Sequence, residues 1–389
     1  MLKIGVDIRN LMSPIRTGVG EYTYELLNAI FKIDKETQYW LFYNSHTDVS
    51  EHTPLWSQNN IHYVVTKWPN KLFNASIKIL GWPKLDKLIS RTGKLDYFFS
   101  PNFNFTALSK DVKHILTVHD LSFKFFPQFF SAKQRLWHWA VNPKKQCQQA
   151  TAIFTLSENT KRDIVDYYKI SPEKIHASGG GVSRLFTQPQ TVIPTNVEES
   201  ISLRKKYNLP NKFILFLGTV EPRKNIIGLI EAFELACSSL SSNYSLVIAG
   251  GGRGWKNKKI YARALASPLR DKIEFIGYVD AQDKPGLYSL SELFVYPSFY
   301  EGFGFPVLEA MTMGVPVITS NRSSLPEITN QAAYLINPNR PAEISDAIVK
   351  MLTDEKLREH FKKMGLEQIK KFSWEPAAKQ WLDLISNNN

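Results

Sequence analysis

Runs of apolar residues alternate with amphipathic stretches along most of the chain. Leu2–Ile8 and Phe213–Gly218 are strongly apolar and predict buried strands. Each is followed by a polar loop and then by apolar residues at helical spacing, in Glu21–Phe31 and in Ile226–Ala236. Strands that alternate with helices form parallel sheets covered on both faces. The pattern therefore predicts a doubly wound α/β fold.

This alternation of strands and helices occurs twice, which predicts two domains. A length of 389 residues exceeds one ordinary domain. The polar, proline-bearing stretch Thr187–Glu199 lacks clear periodicity and is the predicted linker between domains at residues 1–190 and 200–374. Ligands of such sheets bind beyond the carboxyl ends of the strands, so a site is expected in a cleft between the domains.

Residues 294–318 carry the most specific local pattern of the chain. Leu293–Tyr296 predicts a strand, Pro306 and Gly314 mark the start and end of a helix, and Val315–Thr319 predicts the next strand. The N-terminus of a helix offers N–H groups and a positive dipole end to an anion such as a diphosphate. An anion site is therefore expected where this helix begins.

Two carboxylates, Glu301 and Glu309, stand eight positions apart in this stretch. A carboxylate does not bind a phosphate, so its partners beside one are the hydroxyls of a ribose or a sugar. Either glutamate alone is typical of a solvated surface charge. Together, residues 301–309 read Glu-Gly-Phe-Gly-Phe-Pro-x-x-Glu, which closely resembles the signature of the retaining glycosyltransferases of family 4. That resemblance implies the GT-B fold, in which two Rossmann-like doubly wound domains face a central cleft.

A second motif lies at Gly218–Asn225, directly after a predicted strand. An arbitrary Arg-Lys pair is typical of a solvated basic loop, but adjacent cations at a strand's end suit a diphosphate. The segment resembles the second motif of family 4. In many members an arginine directly follows the glycine, whereas this chain has Thr219 there. Lys224 matches the family's lysine and Arg223 adjoins it.

The first half of the chain carries weaker matches to the same family. A lone histidine is more often structural than catalytic, but His119 ends a strand in a segment that resembles the family's acceptor-side motif. The resemblance implies that His119 contacts the transferred sugar and that Asp120 orients the imidazole or its loop. Gly18 and Gly20, in the predicted loop Arg9–Gly20, match the glycine loop whose backbone approaches the phosphates.

The resemblance extends from Gly18 to about Trp374 and assigns a role to each matched residue. It implies that residues 375–389 return to the first domain, with a last helix at Pro376–Ser386. Glu309 would hold the ribose hydroxyls, and Glu301 a sugar hydroxyl. The implied catalytic residues are His119, Arg223, Lys224 and Glu301, and the implied substrate contacts are Gly18, Gly20, Asp120, Tyr278, Val279, Gly302, Phe303, Gly304, Phe305 and Glu309.

The reaction that the resemblance implies is retaining transfer of a hexose from a nucleotide-diphosphate sugar to a glycan or a lipid-linked glycan. Lys224 and Arg223 would neutralise the leaving diphosphate. No cofactor or metal is expected, since the chain has no Asp-x-Asp motif. The Glu-Pro-Arg-Lys-Asn sequence recurs among bacterial mannosyltransferases of polysaccharide synthesis, which favours mannose and therefore GDP-mannose.

Two other classes of function stay open. The first is a GT-B-like enzyme that processes nucleotide sugars, such as a 2-epimerase. This function would not explain the full Glu-x₇-Glu pattern. A non-catalytic protein that binds a membrane or a nucleic acid would be expected to lose site residues. Glu301, Glu309, Lys224 and His119 are all present.

Composition indicates a soluble globular protein in the cytoplasm. Hydrophobic residues make up 43% and charged residues 22% of the chain. No window approaches the roughly 20 apolar residues of a membrane span. A signal peptide needs an apolar core where this chain has the charged residues Asp7 and Arg9, so the N-terminal segment is interpreted as a first strand. Cys147 and Cys237 fit no metal spacing and are interpreted as reduced cysteines.

The net charge of +12 is concentrated in residues 51–150, which hold 14 Lys and Arg against 5 Asp and Glu. No nucleic-acid module accompanies this charge. One interpretation is attraction to anionic lipid at the inner membrane surface; the other is an ordinary amphipathic helix packed on its domain. The residues concerned lie within 67–95 and are Trp68, Lys71, Leu72, Phe73, Ile77, Lys78, Leu80, Trp82, Lys84 and Lys87.

Overall fold

The computed structural model describes residues 1–89, 93–187, 197–240, 243–251 and 256–387. The chain packs into two compact units. Unit 1 comprises Met1–Leu121, Ala132–Gly180 and Ser373–Asn389, and unit 2 comprises Ser122–Ser131 and Gly181–Phe372. Most of the predicted linker lies outside the described residues.

Thirteen strands are found in the described residues. In chain order they are β1 (Lys3–Asp7), β2 (Gln38–Asn44), β3 (Ile61–Thr66), β4 (Tyr97–Ser100), β5 (Lys113–Val118), β6 (Ala152–Thr155), β7 (Ile175–Ala177), β8 (Phe213–Leu217), β9 (Ser245–Ala249), β10 (Ile273–Gly277), β11 (Leu293–Tyr296), β12 (Val317–Ser320) and β13 (Tyr334–Ile336).

Sixteen α-helices cover these strands within the described part of the chain. They are α1 (Gly18–Ile33), α2 (Asn70–Leu80), α3 (Leu85–Ile89), α4 (Ser122–Phe125), α5 (Ala132–Val141), α6 (Pro143–Gln149), α7 (Glu158–Tyr168), α8 (Val197–Tyr207), α9 (Ile226–Ser239), α10 (Lys258–Leu265), α11 (Lys284–Ser289), α12 (Phe305–Thr312), α13 (Leu325–Thr329), α14 (Pro341–Thr353), α15 (Glu355–Gln368) and α16 (Trp374–Asn387).

Each unit contains one parallel sheet. The order in unit 1 is β3-β2-β1-β4-β5-β6-β7, and in unit 2 it is β10-β9-β8-β11-β12-β13. The central strands β4, β8 and β11 are buried throughout, as strands covered on both faces must be. In both units the chain winds outward from a central strand and then returns to that strand's other side. The predicted doubly wound α/β fold is confirmed.

The glycine-bearing segment of unit 1 is helical earlier than predicted. The loop was expected to extend to Gly20, but α1 begins at Gly18. Thr17 has an extended backbone, with φ −88° and ψ 173°, and its carbonyl accepts the first helical hydrogen bond from Glu21 at 2.9 Å. Gly18 and Gly20 therefore lie in the first helical turn and not in a loop.

The strand predicted at Val315–Thr319 is displaced by two residues at its start, because β12 begins at Val317. Pro316 has no N–H and cannot donate to a ladder. Its carbonyl still accepts a hydrogen bond of 3.0 Å from Phe294 of β11. Pro316 therefore precedes the strand and is not part of it.

The last helix, α16, packs within unit 1. Trp381 is buried and its ring centroid lies 5.3 Å from that of Phe99 in β4. The hydroxyl of Tyr97, in the same strand, donates to the carbonyl of Ile385 at 3.3 Å. The C-terminal segment thus covers the sheet with which the chain begins.

Candidate functional site

The site residues of unit 2 come from two loops that leave neighbouring strands. β8 and β11 pair in register, with Leu293 beside Ile214. The chain reverses its winding direction between these two strands, which is where doubly wound sheets bind ligands. The loop after β8 contacts the loop after β11 directly, because Phe299 N–H donates to the carbonyl of Arg223 at 2.9 Å.

Lys224 and Glu301 form the centre of this site. The ammonium of Lys224 donates to Glu301 Oε1 and to the hydroxyl of Tyr296, both at 2.6 Å. All three residues are buried. A buried charge is retained only when it is paired and hydrogen-bonded, and each of these charges meets that condition.

Arg223 joins the cluster from the other side of Glu301. Its NH1 donates to Glu301 Oε2 at 3.0 Å and to the carbonyl of Tyr300 at 2.7 Å. Its Nε and NH2 donate to Glu221 Oε1 at 3.0 and 2.8 Å. Both oxygens of Glu301 thus accept from a cation, and Arg223 is held between two carboxylates. The formal charges of these four side chains cancel.

The pKa values follow from burial and these pairings. Burial alone would raise the pKa of Glu301, but Arg223 and Lys224 overcome it and hold that pKa at about 2. Burial and the neighbouring Arg223 lower the pKa of Lys224, while Glu301 and Glu221 oppose the change. Glu301 is therefore ionised at every pH at which the protein would work.

The backbone of the 301–304 turn is fixed by two serines and one glycine. Ser323 Oγ accepts from Glu301 N–H at 2.8 Å, and Ser324 Oγ contacts the carbonyls of Glu301 and Phe303 at 2.9 and 2.7 Å. Gly304 has φ +126°, and a Cβ there would lie 2.7 Å from Ile328 Cδ1. Only glycine can close this turn onto the start of α12.

Glu309 lies half-buried on α12, and one of its carboxylate oxygens is held by the protein. The hydroxyl of the fully buried Tyr288 donates to Glu309 Oε2 at 2.9 Å. Burial, together with the nearby carboxylate, raises the pKa of Tyr288 far above its ordinary value, so it stays a donor. Among the described residues, no hydrogen bond to Oε1 of Glu309 is found. That oxygen can accept from a ligand hydroxyl.

The ends of β8, β9 and β10 converge beside this cluster. A Cβ on Gly250 would lie 1.8 Å from the carbonyl oxygen of Gly218, and Gly250 N–H donates to the carbonyl of Gly277 at 2.7 Å. Tyr278, which follows, is half-exposed, whereas Val279 is buried. If Val279 contacts a ligand, it does so through its main chain.

His119 follows β5 in unit 1, and its tautomer is set by the backbone. Nε2 lies 2.8 Å from the carbonyl oxygen of Pro101. A carbonyl only accepts, so Nε2 carries the proton and Nδ1 of the neutral ring is an acceptor. Burial lowers the pKa of His119, although the bond to Pro101 and the charge of Asp120 oppose this. The imidazole is thus neutral at pH 7 and can accept a hydrogen bond from a hydroxyl.

Gly18 and Gly20 differ in their surroundings. A Cβ on Gly18 would have no neighbour within 4 Å, whereas one on Gly20 would lie 3.4 Å from the carbonyl oxygen of Asn10. Neither has a positive φ. The fold therefore does not require glycine at position 18, which leaves ligand approach as a reason for its presence there.

The structure brings Arg223, Lys224 and Glu301 into direct contact and places Glu309 on the helix that follows. Three of their partners, Glu221, Tyr288 and Tyr296, are not among the residues predicted from the sequence. Glu221 could have been found, because it stands in the same short motif two positions before Arg223. Tyr288 and Tyr296 gave no signal, since each is one aromatic residue within an apolar stretch.

Neither a metal cluster nor a membrane-spanning helix is found among the described residues. They contain no group of three or more His, Cys, Asp or Glu side chains arranged to hold a metal ion. In the same part of the chain, no helix combines the length and apolar character needed to cross a membrane.

The chain matches two family models and several known proteins. Residues 16–183 match Glycosyltransferase Family 4, and residues 199–368 match Glycosyl transferases group 1. The O-antigen chain mannosyltransferase B of Escherichia coli is 30% identical over 373 residues, covering 94% of this chain and 95% of the relative. The serotype-specific mannosyltransferase WbdA of Escherichia coli is 33% identical over 68% of this chain, which spans only 32% of that relative.

Among solved structures, the sucrose-phosphate synthase of Thermosynechococcus elongatus superposes with a TM-score of 0.75 at 18% identity, covering 100% of this chain and 99% of the other. At 18% identity this similarity supports the fold alone. The chain belongs to the family 4, or group 1, glycosyltransferases, and it has their GT-B fold. It is therefore an enzyme that transfers a glycosyl group, as the sequence predicted.

Proposed function

We propose that the chain is a retaining glycosyltransferase that moves a hexose, with mannose favoured, from a nucleotide-diphosphate sugar to a glycan or a lipid-linked glycan. The observation that carries this proposal is the buried cluster of Arg223, Lys224 and Glu301 at the reversal point of the unit 2 sheet. Similarity to the O-antigen chain mannosyltransferase B over 94% of the chain supports mannose, and hence GDP-mannose.

The donor would be held by directed donors and acceptors. Glu309 Oε1 would accept from the ribose hydroxyls, while Tyr288 fixes Oε2. Glu301 would accept from a sugar hydroxyl through the lone pairs that its two cations leave over. The residues from Gly302 to Phe305 would direct N–H groups towards sugar or phosphate at the start of α12. The site offers directed polar groups and not a large excess of positive charge.

Chemistry would proceed by stabilisation of the leaving group. Lys224 and Arg223 would hold the negative charge that develops on the diphosphate as the glycosidic bond breaks. The acceptor hydroxyl would attack from the face that the diphosphate leaves, and its proton would pass to a phosphate oxygen. This route requires neither a side-chain base nor a metal ion.

The residues of unit 1 complete the proposal. His119, as an acceptor through Nδ1, would bind a hydroxyl of the transferred sugar, with Asp120 orienting it. Gly18 and Gly20 would let the backbone of α1 approach the phosphates. Tyr278 and Val279 of unit 2 would contact the substrate beyond β10. We further propose a cytoplasmic enzyme associated peripherally with the inner face of the cell membrane, where a lipid-linked acceptor would lie.

A thermal-shift panel of GDP-, UDP-, ADP- and dTDP-sugars tests the donor. The expected result is a raised melting temperature with GDP-mannose, and loss of both this shift and transfer in Glu309→Ala. Glu355→Ala, which removes an exposed carboxylate on α15, is the matched control. Full transfer activity in Glu309→Ala would overturn the site assignment.

The stereochemistry is tested on the product, and the metal requirement is tested by the reaction rate. NMR should show the anomeric configuration of the donor retained, with rates unchanged by a chelator. Inversion, or strict Mn²⁺ dependence, would contradict the proposed mechanism. A C2 epimer formed without any acceptor would support the epimerase alternative instead.

A further inference from the structure

Helix α2 has apolar side chains on two of its faces, and the core accounts for only one of them. Phe73 and Ile77 are buried in a cluster with residues such as Leu85. Leu72 and Ile79 are 64% and 77% exposed. Seven positions are nearly two helical turns, so these two side chains form one exposed stripe. Phe73 and Ile77 pack as an ordinary amphipathic helix requires. That interpretation does not explain why Leu72 and Ile79 are exposed.

Helix α5 also exposes apolar side chains, and it buries fewer residues than α2 does. All ten of its residues are described, and Val141 is its one buried residue. Leu136 and Trp139 are 62% and 72% exposed, and residues three positions apart share a helix face. In proteins a short helix owes most of its stability to packing of its apolar face. The apolar face of α5 has no such cover in the described residues.

One side-chain contact connects the two helices in unit 1. The ammonium of Lys78 on α2 lies 5.4 Å from the ring centroid of Trp139 on α5. Phe105 packs against the cluster that contains Phe73, and its ring lies 6.4 Å from that of Trp137. These contacts connect α5 to α2 and to its core cluster. The exposed apolar residues of both helices, with Trp82 just after α2, are named here the docking face: Leu72, Ile79, Leu80, Trp82, Leu136, Trp137 and Trp139.

The two stretches of chain that supply the docking face carry charge of a single sign. No Asp or Glu occurs from residue 52 to 85 or from residue 132 to 157, the two stretches that supply this face. Lys71 and Lys78 repeat at the same seven-residue spacing as the apolar stripe of α2, on its flank. The cations of the two stretches are Lys67, Lys71, Lys78, Lys84, Lys133, Arg135, Lys144 and Lys145.

We propose that the docking face binds unit 1 to an anionic lipid surface. Exposed leucine, isoleucine and tryptophan can enter the boundary between headgroups and acyl chains, while the flanking lysines meet anionic headgroups. A second copy of the chain would bring two cationic faces together, and a nucleic acid would leave Leu72 and Ile79 exposed. The inference rests on the proposed function only for the membrane association and not for the donor chemistry.

The test is co-sedimentation of the full chain with vesicles. The chain should bind vesicles that contain phosphatidylglycerol, bind pure phosphatidylcholine at least tenfold more weakly, and lose affinity in about 1 M salt, where the Debye length is about 3 Å. Two triple variants should each bind at least tenfold more weakly. They are Leu72→Ser/Ile79→Ser/Trp139→Ser and Lys71→Glu/Lys78→Glu/Arg135→Glu.

Matched controls alter equally exposed residues elsewhere in unit 1. Ile33→Ser/Leu55→Ser/Tyr167→Ser and Lys32→Glu/Lys110→Glu/Arg162→Glu should bind like the parent. Absence of vesicle binding by the parent chain, or an equal loss in the controls, would overturn the proposal. So would a dimer that the apolar variant dissociates.

The donor-induced thermal shift of each variant separates this inference from the proposed function. It should be unchanged in every variant, which also shows that the variants fold. A parent chain that binds vesicles but no nucleotide sugar would contradict the donor assignment and leave the docking face standing.

Discussion

The ammonium of Lys224 lies 2.6 Å from Glu301 Oε1, although the two residues are 77 positions apart and enter the site from different strands. Because β8 and β11 are neighbours in the sheet, the loops that follow them meet. Arg223 binds the other oxygen of the same carboxylate. Arg223, Lys224 and Glu301 therefore form one cluster, and a change in one should alter the other two.

Replacing Lys224 by alanine should reduce kcat by about 10² to 10³, the usual cost of removing one preorganised group that stabilises developing charge. The change leaves Glu301 paired with Arg223, so the chain should still fold. Steady-state transfer assays and thermal unfolding check the two expectations. Lys212→Ala, which removes an exposed lysine just before β8, should leave kcat unaltered. A wild-type kcat in Lys224→Ala would show that the ammonium takes no part in leaving-group stabilisation.

The depressed pKa of Glu301 makes part of the stability depend on pH. A carboxyl whose pKa falls from 4.5 to about 2 on folding stabilises the protein above the unfolded value and loses that contribution as pH falls towards the folded one. The contribution is on the order of 3 kcal/mol. Glu301→Gln removes it, because the amide does not titrate and leaves Arg223 and Lys224 without their shared carboxylate.

Urea unfolding of both chains from pH 7 to pH 2.5 measures this effect. The difference in free energy of unfolding between the parent and Glu301→Gln should be largest above about pH 5 and should shrink as the pH falls towards 2. The other carboxyl groups titrate in both chains and cancel. A difference that stays constant with pH would mean that Glu301 is not ionised against its two cations.

Tyr288→Phe should raise the KM for the donor by about tenfold and leave kcat nearly unchanged. A hydrogen bond to a charged group is worth about 1.5 kcal/mol or more, and this one holds Glu309, which we propose binds the ribose. The split between KM and kcat separates positioning from general destabilisation. Tyr39→Phe removes a comparable bond to Asp34 in unit 1 and is the matched control. Equal KM values in all three proteins would show that Tyr288 has only a structural role.

Gly18→Ala should separate stability from activity in unit 1. A Cβ at this position meets nothing within 4 Å, and alanine is the better helix former by up to about 1 kcal/mol. The melting temperature should therefore stay unchanged or rise. Transfer should nevertheless fall if the phosphates approach this backbone. Lys32→Ala, at the other end of α1, controls for changes in the helix itself. Undiminished transfer in Gly18→Ala would remove Gly18 from the site.

Local signals in the sequence were enough to predict most elements. Leu293–Tyr296 is apolar and followed by proline, so its strand begins and ends where the structure has it. Pro306 and Gly314 mark the start and end predicted for the next helix, and α12 spans Phe305–Thr312. The strand start predicted at Val315 is wrong by two residues, because Pro316 has no N–H to donate and β12 begins at Val317. The helix predicted from Glu21 begins at Gly18, because Thr17 provides the first carbonyl acceptor of α1.

The sequence by itself determined the doubly wound pattern and most of the helix and strand positions, because strand periodicity, glycine and proline act over a few residues. Tertiary structure decided which charges pair. Glu221 and Glu301 share Arg223, and Tyr288 holds Glu309, only because strand order and helix packing bring distant side chains within hydrogen-bond distance. Burial then fixes their ionisation, and burial is a property of the folded chain.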